Sequence, residues 1–245
     1  MKTHHINPQL LGQPVTVAVV GCGGTGSAIA AGLPLLHQAM LAYGHPYGLD
    51  VTLYDADTIS ETNCVRQPFR SSEIGQNKAI VLATRINAFW GLDWTAVPSA
   101  FCGHTAKRRD IIIGCVDTRA SRAEIAAVTN AAYWLDCGNS AHSGQFVLGE
   151  PSKSRKLRRG EKHLPTIAER FAETVDAALD GAGDGPTCSA IEALEKQAPF
   201  VNQTIANHAL ALLALLFREG QIDYCGGFLD LKTGHCSPIP VGVLN

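Results

Sequence analysis

Short apolar runs rich in β-branched residues recur along the chain, with polar or amphipathic stretches between them. The first, at 15–20, is almost continuously apolar, which is typical of a parallel strand covered on both faces. Later runs of the same kind predict strands at 51–54, 95–97, 110–116, 133–137 and 145–148. Two further runs, at 227–231 and 236–241, are joined by Thr233-Gly234 and predict a C-terminal β-hairpin.

Helical patterns lie between these strands, and we expect helices at 27–43, 77–89, 121–132 and 201–217. Pro34 falls inside the first of them and has no backbone N–H, so we expect a kink or break near Leu33. The alternation of strands and helices predicts an α/β fold in which helices cover both faces of a largely parallel sheet. We expect residues 1–245 to form a single domain.

A change of composition at Pro151 marks an insertion at about 151–187 that crosses over the sheet. Six of the ten residues from 153 to 162 are Lys or Arg. Such a run is either a solvated loop or a clamp for an acidic partner surface or an incoming chain terminus.

Length, composition and charge exclude several classes of protein. The 245 residues are 46% hydrophobic, which is enough for a buried core, and the net charge of -2 argues against nucleic-acid binding through a broad basic face. The longest apolar run, at 208–217, is about half the length of a membrane-spanning helix. The first residues lack the apolar core of a signal peptide, so we expect a cytoplasmic protein whose eight cysteines are thiols.

A glycine-rich loop follows the first strand directly. Gly21, Gly23 and Gly26 fit the pattern G-x-G-x-x-G, with Gly24 between them, and a helix follows. Without Cβ atoms the backbone can turn tightly and approach a phosphate, which the helix N-terminus stabilises. The pattern in this position favours a Rossmann-like nucleotide site, and the alternative is a tight turn that binds nothing.

Polar side chains follow other strands of the predicted sheet. Asp55 and Asp57 come after the second strand and Asp117 after the fourth, so all three should reach one crevice at the carboxyl edge. Asp55 is either a partner for a ribose hydroxyl or a solvated turn residue. Four more polar residues follow it: Asn63, Arg66, Gln67 and Lys78.

Cations beside a carboxylate suit a triphosphate with Mg²⁺ better than a nicotinamide cofactor. A dehydrogenase remains the alternative enzyme, although no catalytic residue for one is evident. The chain contains no Gly-Lys-Ser/Thr, so an ATP site here is not of the Walker type.

Taken together, these motifs resemble the ThiF/MoeB/HesA superfamily of adenylating enzymes, which includes the ubiquitin-activating enzymes. The resemblance is carried by Gly21-Cys-Gly-Gly-Thr-Gly-Ser27, Tyr54-Asp-Ala-Asp57, Asn63-Cys-Val-Arg-Gln67, Ile74-Gly-Gln-Asn-Lys78, and Asp117 followed by Arg122. It covers about 15–145 and, more loosely, 188–217. The short N-terminus, basic insertion and terminal hairpin are most similar to the activating enzymes of bacterial ubiquitin-like operons, the PRTRC and Bil types.

The resemblance implies ATP-dependent adenylation of the C-terminal glycine of a ubiquitin-like protein. Asp55 would bind the ribose, Asp117 would hold Mg²⁺ and Arg122 would brace the loop. Asn63, Arg66 and Lys78 would surround the phosphates, with Gln67 beside them. A homodimer and a conjugating-enzyme-like partner are also implied. Activation of a sulfur-carrier protein, or a weakly active scaffold that binds a ubiquitin-like protein, are the alternatives.

Cys188 differs from the other cysteines in its surroundings. It precedes Ser189-Ala-Ile-Glu192, a capping box that predicts a helix beginning at Ser189, and the helix dipole favours a thiolate there. The resemblance implies that Cys188 accepts the activated acyl group as a thioester; the alternative is an inert loop thiol. Cys225 and Cys236 could face each other across the hairpin, but the chain has no C-x-x-C, so we expect no structural zinc.

One departure from the family concerns an arginine near the N-terminus that reaches the other subunit's ATP site. The first arginine of this chain is Arg66. Substitutes are a residue of the basic insertion or one of four others: Lys2, His4, His5 and Arg70. Otherwise adenylation is slow or lost.

Overall fold

The computed structural model describes residues 2–104, 107–151, 157, 161–180 and 198–243. Ten strands lie in this part of the chain: β1 (His4–His5), β2 (Val15–Val20), β3 (Leu49–Tyr54), β4 (Thr95–Val97), β5 (Ile111–Gly114), β6 (Tyr133–Asn139), β7 (Ser143–Gly149), β8 (Gln221–Ile222), β9 (Tyr224–Asp230) and β10 (His235–Pro240). Eight of them form one sheet in the order β10-β9-β7-β6-β5-β2-β3-β4, while β1 pairs with β8.

The centre of the sheet is parallel, as the sequence predicts. β2 pairs in parallel with β3 and β5, β5 with β6, and β3 with β4. Every residue of β5 is buried, and so is every residue of β2 except Thr16, which agrees with strands covered on both faces. The remaining strands, β7, β9 and β10, add an antiparallel half that ends in the predicted C-terminal hairpin.

Six α-helices lie within the described residues: α1 (Gly24–Ala42), α2 (Asn63–Arg66), α3 (Lys78–Trp90), α4 (Arg119–Ala126), α5 (Ile167–Arg170) and α6 (Val201–Glu219). Starting from β2, the chain adds β3 and then β4 on one side of the sheet. It then adds β5 and β6 on the other side of β2. Because such crossovers are right-handed, α1 and α3 lie on one face of the sheet and α4 on the other. α6 packs against α1. The structure thereby confirms helices on both faces.

Of the kink or break predicted near Leu33, the break is wrong, because α1 continues through Pro34 as one helix. Ile29, Leu33, Leu36 and Met40 are all buried along it. Burial of these four apolar side chains stabilises the helix, although proline cannot donate one of its backbone hydrogen bonds.

The predicted limits of the fourth strand and the following helix are also wrong. β5 ends at Gly114, and α4 starts at Arg119 and ends at Ala126 instead of spanning 121–132. The Thr118 side chain accepts a hydrogen bond from the backbone N–H of Ser121 and caps the helix earlier than the apolar pattern indicates.

Cys225 and Cys236 do not face each other across the hairpin. Cys236 pairs with Leu229, and Cys225 lies opposite a register shift at Ile239/Pro240. The expected helix at Ser189, together with Cys188 and most of the basic run, lies outside the described residues. Among the helices that are described, none is long and apolar enough to cross a membrane.

Candidate functional site

The glycine loop connects β2 to α1 and lies at the carboxyl edge of the parallel strands. Gly21 has a φ of +88°, and a Cβ there would lie 2.7 Å from the carbonyl oxygen of Cys115. A Cβ at Gly26 would collide with the carbonyl oxygen of Gly21, whereas Gly23 has open space around it. Gly21, Gly23 and Gly24 line a cavity, while Gly26 lets α1 pack closely against the loop.

Asp55 follows β3 and holds the glycine loop from the side. Its Oδ2 accepts a hydrogen bond of 2.6 Å from the backbone N–H of Cys22, and its Oδ1 accepts one of 2.7 Å from that of Asp57. Burial raises the pKa of the Asp55 carboxyl, although these two N–H donors favour its ionised form. Asp55 also lines the cavity, so it can accept a bond from a ribose hydroxyl there.

Lys78 begins α3 beneath the same loop. It is buried, and its Nζ donates a 2.8 Å hydrogen bond to Asp57 Oδ2, while both side chains line the cavity. Asn77 precedes Lys78 and joins the loop after β3 to the start of α3. Its Nδ2 donates to the carbonyls of Asp55 (2.8 Å) and Asp57 (3.1 Å), and its Oδ1 caps α3 at the N–H of Ile80.

The short helix α2 and the residue after it supply three more of the predicted residues. Asn63 is buried and its Oδ1 accepts a hydrogen bond from the N–H of Ser60. Arg66 and Gln67 line the cavity beside it. Gln67 Oε1 is buried and has no hydrogen-bond partner among the described residues. An acceptor in that condition fits a site whose ligand supplies the missing donor.

Asp117 lies in the loop after β5 and also lines the cavity; β5 and β3 lie on either side of β2, so this loop and the Asp55 loop flank the glycine loop. Arg122 braces the loop after β5: its Nη2 donates to the carbonyl of Val116 (3.0 Å) and its Nε to Asp136 Oδ1 (2.9 Å). Asp136 is completely buried on β6, and burial raises the pKa of its carboxyl against the opposing effect of Arg122. The predicted bracing role of Arg122 matches this geometry.

The cavity that these loops enclose has a volume of about 1730 Å³. Small-molecule sites commonly measure about 300–1,000 Å³. The antiparallel half of the sheet also contributes to the lining, and we call this part of the cavity the lateral arm; it is lined by Ser143, Gln145, Phe228, Asp230 and His235.

Strand register gives the length of this arm. Asn139, whose Oδ1 lies 3.3 Å from Thr25 Oγ1 of α1, pairs with Gly144, Gly144 with Leu229, and Leu229 with Cys236. Three strand spacings of about 4.8 Å make roughly 14 Å across the sheet from β6 to β10, which we take as the length of the arm.

Sequence reasoning missed a polar cluster at the start of α6. Thr25 Oγ1 donates to Asn202 Oδ1 (2.8 Å) and lies 3.3 Å from Asn139 Oδ1. A Cβ on Gly24 would collide with the Asn202 side chain, so the first turn of α6 lies directly on the glycine loop. Only the fold brings these residues together. Asn77 did carry a signal, since an asparagine before a helical pattern is a typical N-cap.

The residues present fit ATP and one magnesium ion. The glycine loop and the N-terminus of α1 can receive phosphates, and Arg66 and Lys78 can neutralise them. Within the described residues no group of three His, Cys, Asp or Glu side chains is arranged to hold a metal. Mg²⁺ bound at Asp117 would therefore take its remaining oxygen ligands from phosphates and water.

His4 is not available as a substitute for the missing N-terminal arginine. It is fully buried, and its Nε2 lies 2.9 Å from the hydroxyl of Tyr133 in its own chain. Arg70 is exposed and donates its backbone N–H to Glu73 Oε2.

Comparison with known proteins agrees with this architecture. The ThiF family model matches residues 11–233. Among solved structures, PaaA has a TM-score of 0.61 at 13% sequence identity, and the alignment covers 93% of this chain and 64% of that one. E. coli MccB with AMPCPP and MccA has a TM-score of 0.60 at 16% identity, with 93% and 64% covered. MccB with ATP has a TM-score of 0.56 at 16% identity, with 93% and 63% covered.

These identities are low, so the structural likeness concerns the fold. The chain spans less than two thirds of the length of these structures. No curated protein matches the sequence.

Proposed function

Since the chain belongs to the ThiF family, we propose that it uses ATP to adenylate a carboxylate, and that this carboxylate is the C-terminal glycine of a ubiquitin-like protein. The observation that carries the proposal is the convergence of the glycine loop, Lys78, Arg66 and Asp117 on one cavity. In this proposal residues 1–245 act as one adenylation domain, and two copies form a homodimer.

The chemistry of the first step is a substitution at the α-phosphorus of ATP. A carboxylate oxygen of the substrate forms a bond to phosphorus, the bond to the β-phosphate oxygen breaks, and pyrophosphate leaves. Two anions must meet, so positioning and charge neutralisation account for most of the catalysis. Arg66 and Lys78 would neutralise phosphate oxygens, Asp55 would fix the ribose, and no protein nucleophile is required. Mg²⁺ held by Asp117 would add charge neutralisation when bound.

The lateral arm supports a chain terminus as the substrate rather than a small acid. An extended chain advances about 3.3–3.6 Å per residue, so roughly four residues fit along the arm's length of about 14 Å. A flexible C-terminal tail is the part of a ubiquitin-like protein that can enter such a groove. Its terminal carboxylate would then lie at the glycine loop, next to the α-phosphate.

We include a second step in the proposal, in which the acyl group moves to Cys188. The thiolate sulfur attacks the acyl carbon, a C–S bond forms, the C–O bond to AMP breaks and AMP leaves. A conjugating-enzyme-like partner would then receive the acyl group by thioester exchange. The support for this step is the capping box after Cys188 and the resemblance to ubiquitin-activating enzymes.

The first step is tested by incubating the protein with ATP, Mg²⁺ and candidate ubiquitin-like proteins, and measuring pyrophosphate and the acyl-adenylate. We expect both products, and we expect Asp117→Ala to abolish them. Asp93→Ala is the matched control, because Asp93 is exposed and lies outside the cavity lining. Full turnover by the Asp117 variant would remove that residue from the mechanism.

The second step is tested with Cys188→Ala, compared with Cys236→Ala as an exposed control thiol. The Cys188 variant should still form the adenylate but lose an adduct that reductant releases. An adduct that survives this substitution would assign the thioester to another residue. Formation of the acyl-adenylate with no adduct in the unmodified protein would instead indicate activation of the sulfur-carrier type.

A further inference from the structure

The N-terminus of α4 is held by a carboxylate from a distant part of the chain. Asp180 Oδ1 accepts a hydrogen bond of 2.9 Å from the backbone N–H of Arg119, and Asp180 Oδ2 accepts one of 2.9 Å from that of Ala120. The next amide, of Ser121, donates to Thr118 Oγ1 at 3.2 Å. The first amides of a helix have no partner inside it, so Asp180 satisfies two groups that otherwise need solvent or a ligand.

The Arg119 side chain strengthens the same contact from the opposite direction. Its Nε donates to the carbonyl of Glu173 (3.0 Å) and its Nη1 to that of Leu179 (2.8 Å), while Nη1 lies 3.8 Å from Asp180 Oδ1. The two amide donors hold the pKa of Asp180 below its ordinary value, so the carboxylate is charged at neutral pH. We call the contacts of Asp180 with Arg119 and Ala120 the latch.

The latch fixes one end of residues 171–180, which we call the wall segment. Glu173 and Thr174 of this segment line the cavity, and the ring of Phe171 packs edge-on against Phe228 with 6.3 Å between centroids. The other end is fixed by Arg170, whose Nη1 donates to the carbonyl of Val243 at 2.9 Å. The wall segment therefore stands opposite the strand face of the lateral arm and is anchored at both ends.

The latch connects the two parts of the cavity, the glycine-loop part and the lateral arm. Arg119 follows Asp117 by two residues, so the latch lies at the end of the loop that contains Asp117. The wall segment borders the lateral arm. We propose that Asp180 is a positioning residue for the acyl substrate. Through the latch it holds the wall segment in place, and the wall segment in turn shapes the lateral arm. The proposal rests on the proposed function, because it assigns the arm to the substrate's tail.

Kinetics separate this role from a general structural one. In Asp180→Ala the KM for the ubiquitin-like protein that yields AMP should rise about fivefold, the size expected for loss of a capping interaction. The KM for ATP and kcat should stay unchanged, because Asp180 touches neither nucleotide nor reacting atoms. Asp180→Asn keeps one acceptor oxygen, so its KM for the ubiquitin-like protein should lie between those of Asp180→Ala and the unmodified protein.

Asp176→Ala is the matched control. Asp176 belongs to the same wall segment and also caps a turn, but its carboxylate accepts from Ala178 N–H at 3.1 Å within the segment. It should leave all three kinetic constants unchanged. An unchanged KM for the ubiquitin-like protein in Asp180→Ala, or an equal rise in the KM for ATP, would overturn the positioning role.

Amide hydrogen exchange provides a second measurement that needs no substrate. Exchange should accelerate over 171–180 and at Arg119 and Ala120 in Asp180→Ala, but not at Arg119 or Ala120 in Asp176→Ala. Unaltered exchange would overturn the latch itself. If no ubiquitin-like protein yields AMP, the proposed function fails and the substrate role of Asp180 fails with it, whereas exchange still decides the latch.

Discussion

Arg122 controls the position of Asp117 through two hydrogen bonds, one to the loop before that residue and one to buried Asp136. Arg122→Ala would leave Asp136 in the core without its cation. We expect the free energy of unfolding to fall by about 3 kcal/mol, as is typical when one partner of a buried ion pair is removed. Urea denaturation measures this change, provided that the unfolding slope is unaltered.

Arg85→Ala is the control for this prediction. Arg85 also pairs with a carboxylate, that of Glu73, but its side chain is 32% exposed, compared with 10% for Arg122. A pair nearer the surface contributes about 1 kcal/mol or less. If the free energy of unfolding fell by similar amounts in the two variants, burial would not make the Arg122 pair more stabilising than the Arg85 pair.

Which residues could be predicted from the sequence depends on where their partners lie in the chain. Asp55, Lys78 and Asp117 follow strands or begin a helix, and parallel strands bring their carboxyl ends together, so the cavity at those positions was predictable. Asn202 and Asp180 were not. Their partners, Thr25 and Arg119, are distant in sequence, and an isolated Asn or Asp carries no pattern that identifies its partner.

At the scale of elements, the glycine loop offers a test that separates folding from ligand binding. Gly26→Ala would bring a Cβ into the carbonyl oxygen of Gly21 and within 3.2 Å of Cys115 Cβ. We expect it to destabilise the protein by about 1–3 kcal/mol, as overpacking does, and to abolish ATP binding. Gly23→Ala has open space around it, so its stability should change by less than about 0.5 kcal/mol while ATP binding weakens.

Thermal unfolding and calorimetric titration with ATP measure the two effects. Gly12→Ala serves as the control, because Gly12 also has open space around it and lies outside the cavity lining. It should change neither quantity. Normal ATP affinity in Gly23→Ala would show that phosphate does not approach the loop at this glycine.

Elements themselves were predictable where burial and periodicity agree. β2, covered on both faces, was predicted with its observed bounds of Val15–Val20. The pattern failed for α4, whose start depends on Thr118 and on the Asp180 carboxylate. The predicted break near Leu33 is absent because a buried row of apolar side chains compensates for one missing hydrogen bond in a helix of 19 residues.

At the scale of the whole molecule, the cavity joins two halves of the sheet that differ in character. The parallel half provides the loops to which we assign the nucleotide, and the antiparallel half provides the lateral arm. The arm exists because β7 pairs with both β6 and β9, which places Gln145 and Phe228 side by side opposite the wall segment. Strand order of this kind follows from packing of the complete chain, and for that reason the sequence did not predict the arm.

Phe228 tests whether the arm receives the substrate's tail. Phe228 is 40% exposed and lines the lateral arm with the Phe171 ring beside it, so an apolar side chain of the tail would cover it. Phe228→Ala should raise the KM for the ubiquitin-like protein about tenfold, which corresponds to about 1.4 kcal/mol of lost apolar contact, and leave the KM for ATP unchanged. Phe89 is 80% exposed and lies outside the cavity lining, so Phe89→Ala should change neither KM. Steady-state AMP formation gives both values, and equal KM values for Phe228→Ala and the unmodified protein would place the tail elsewhere.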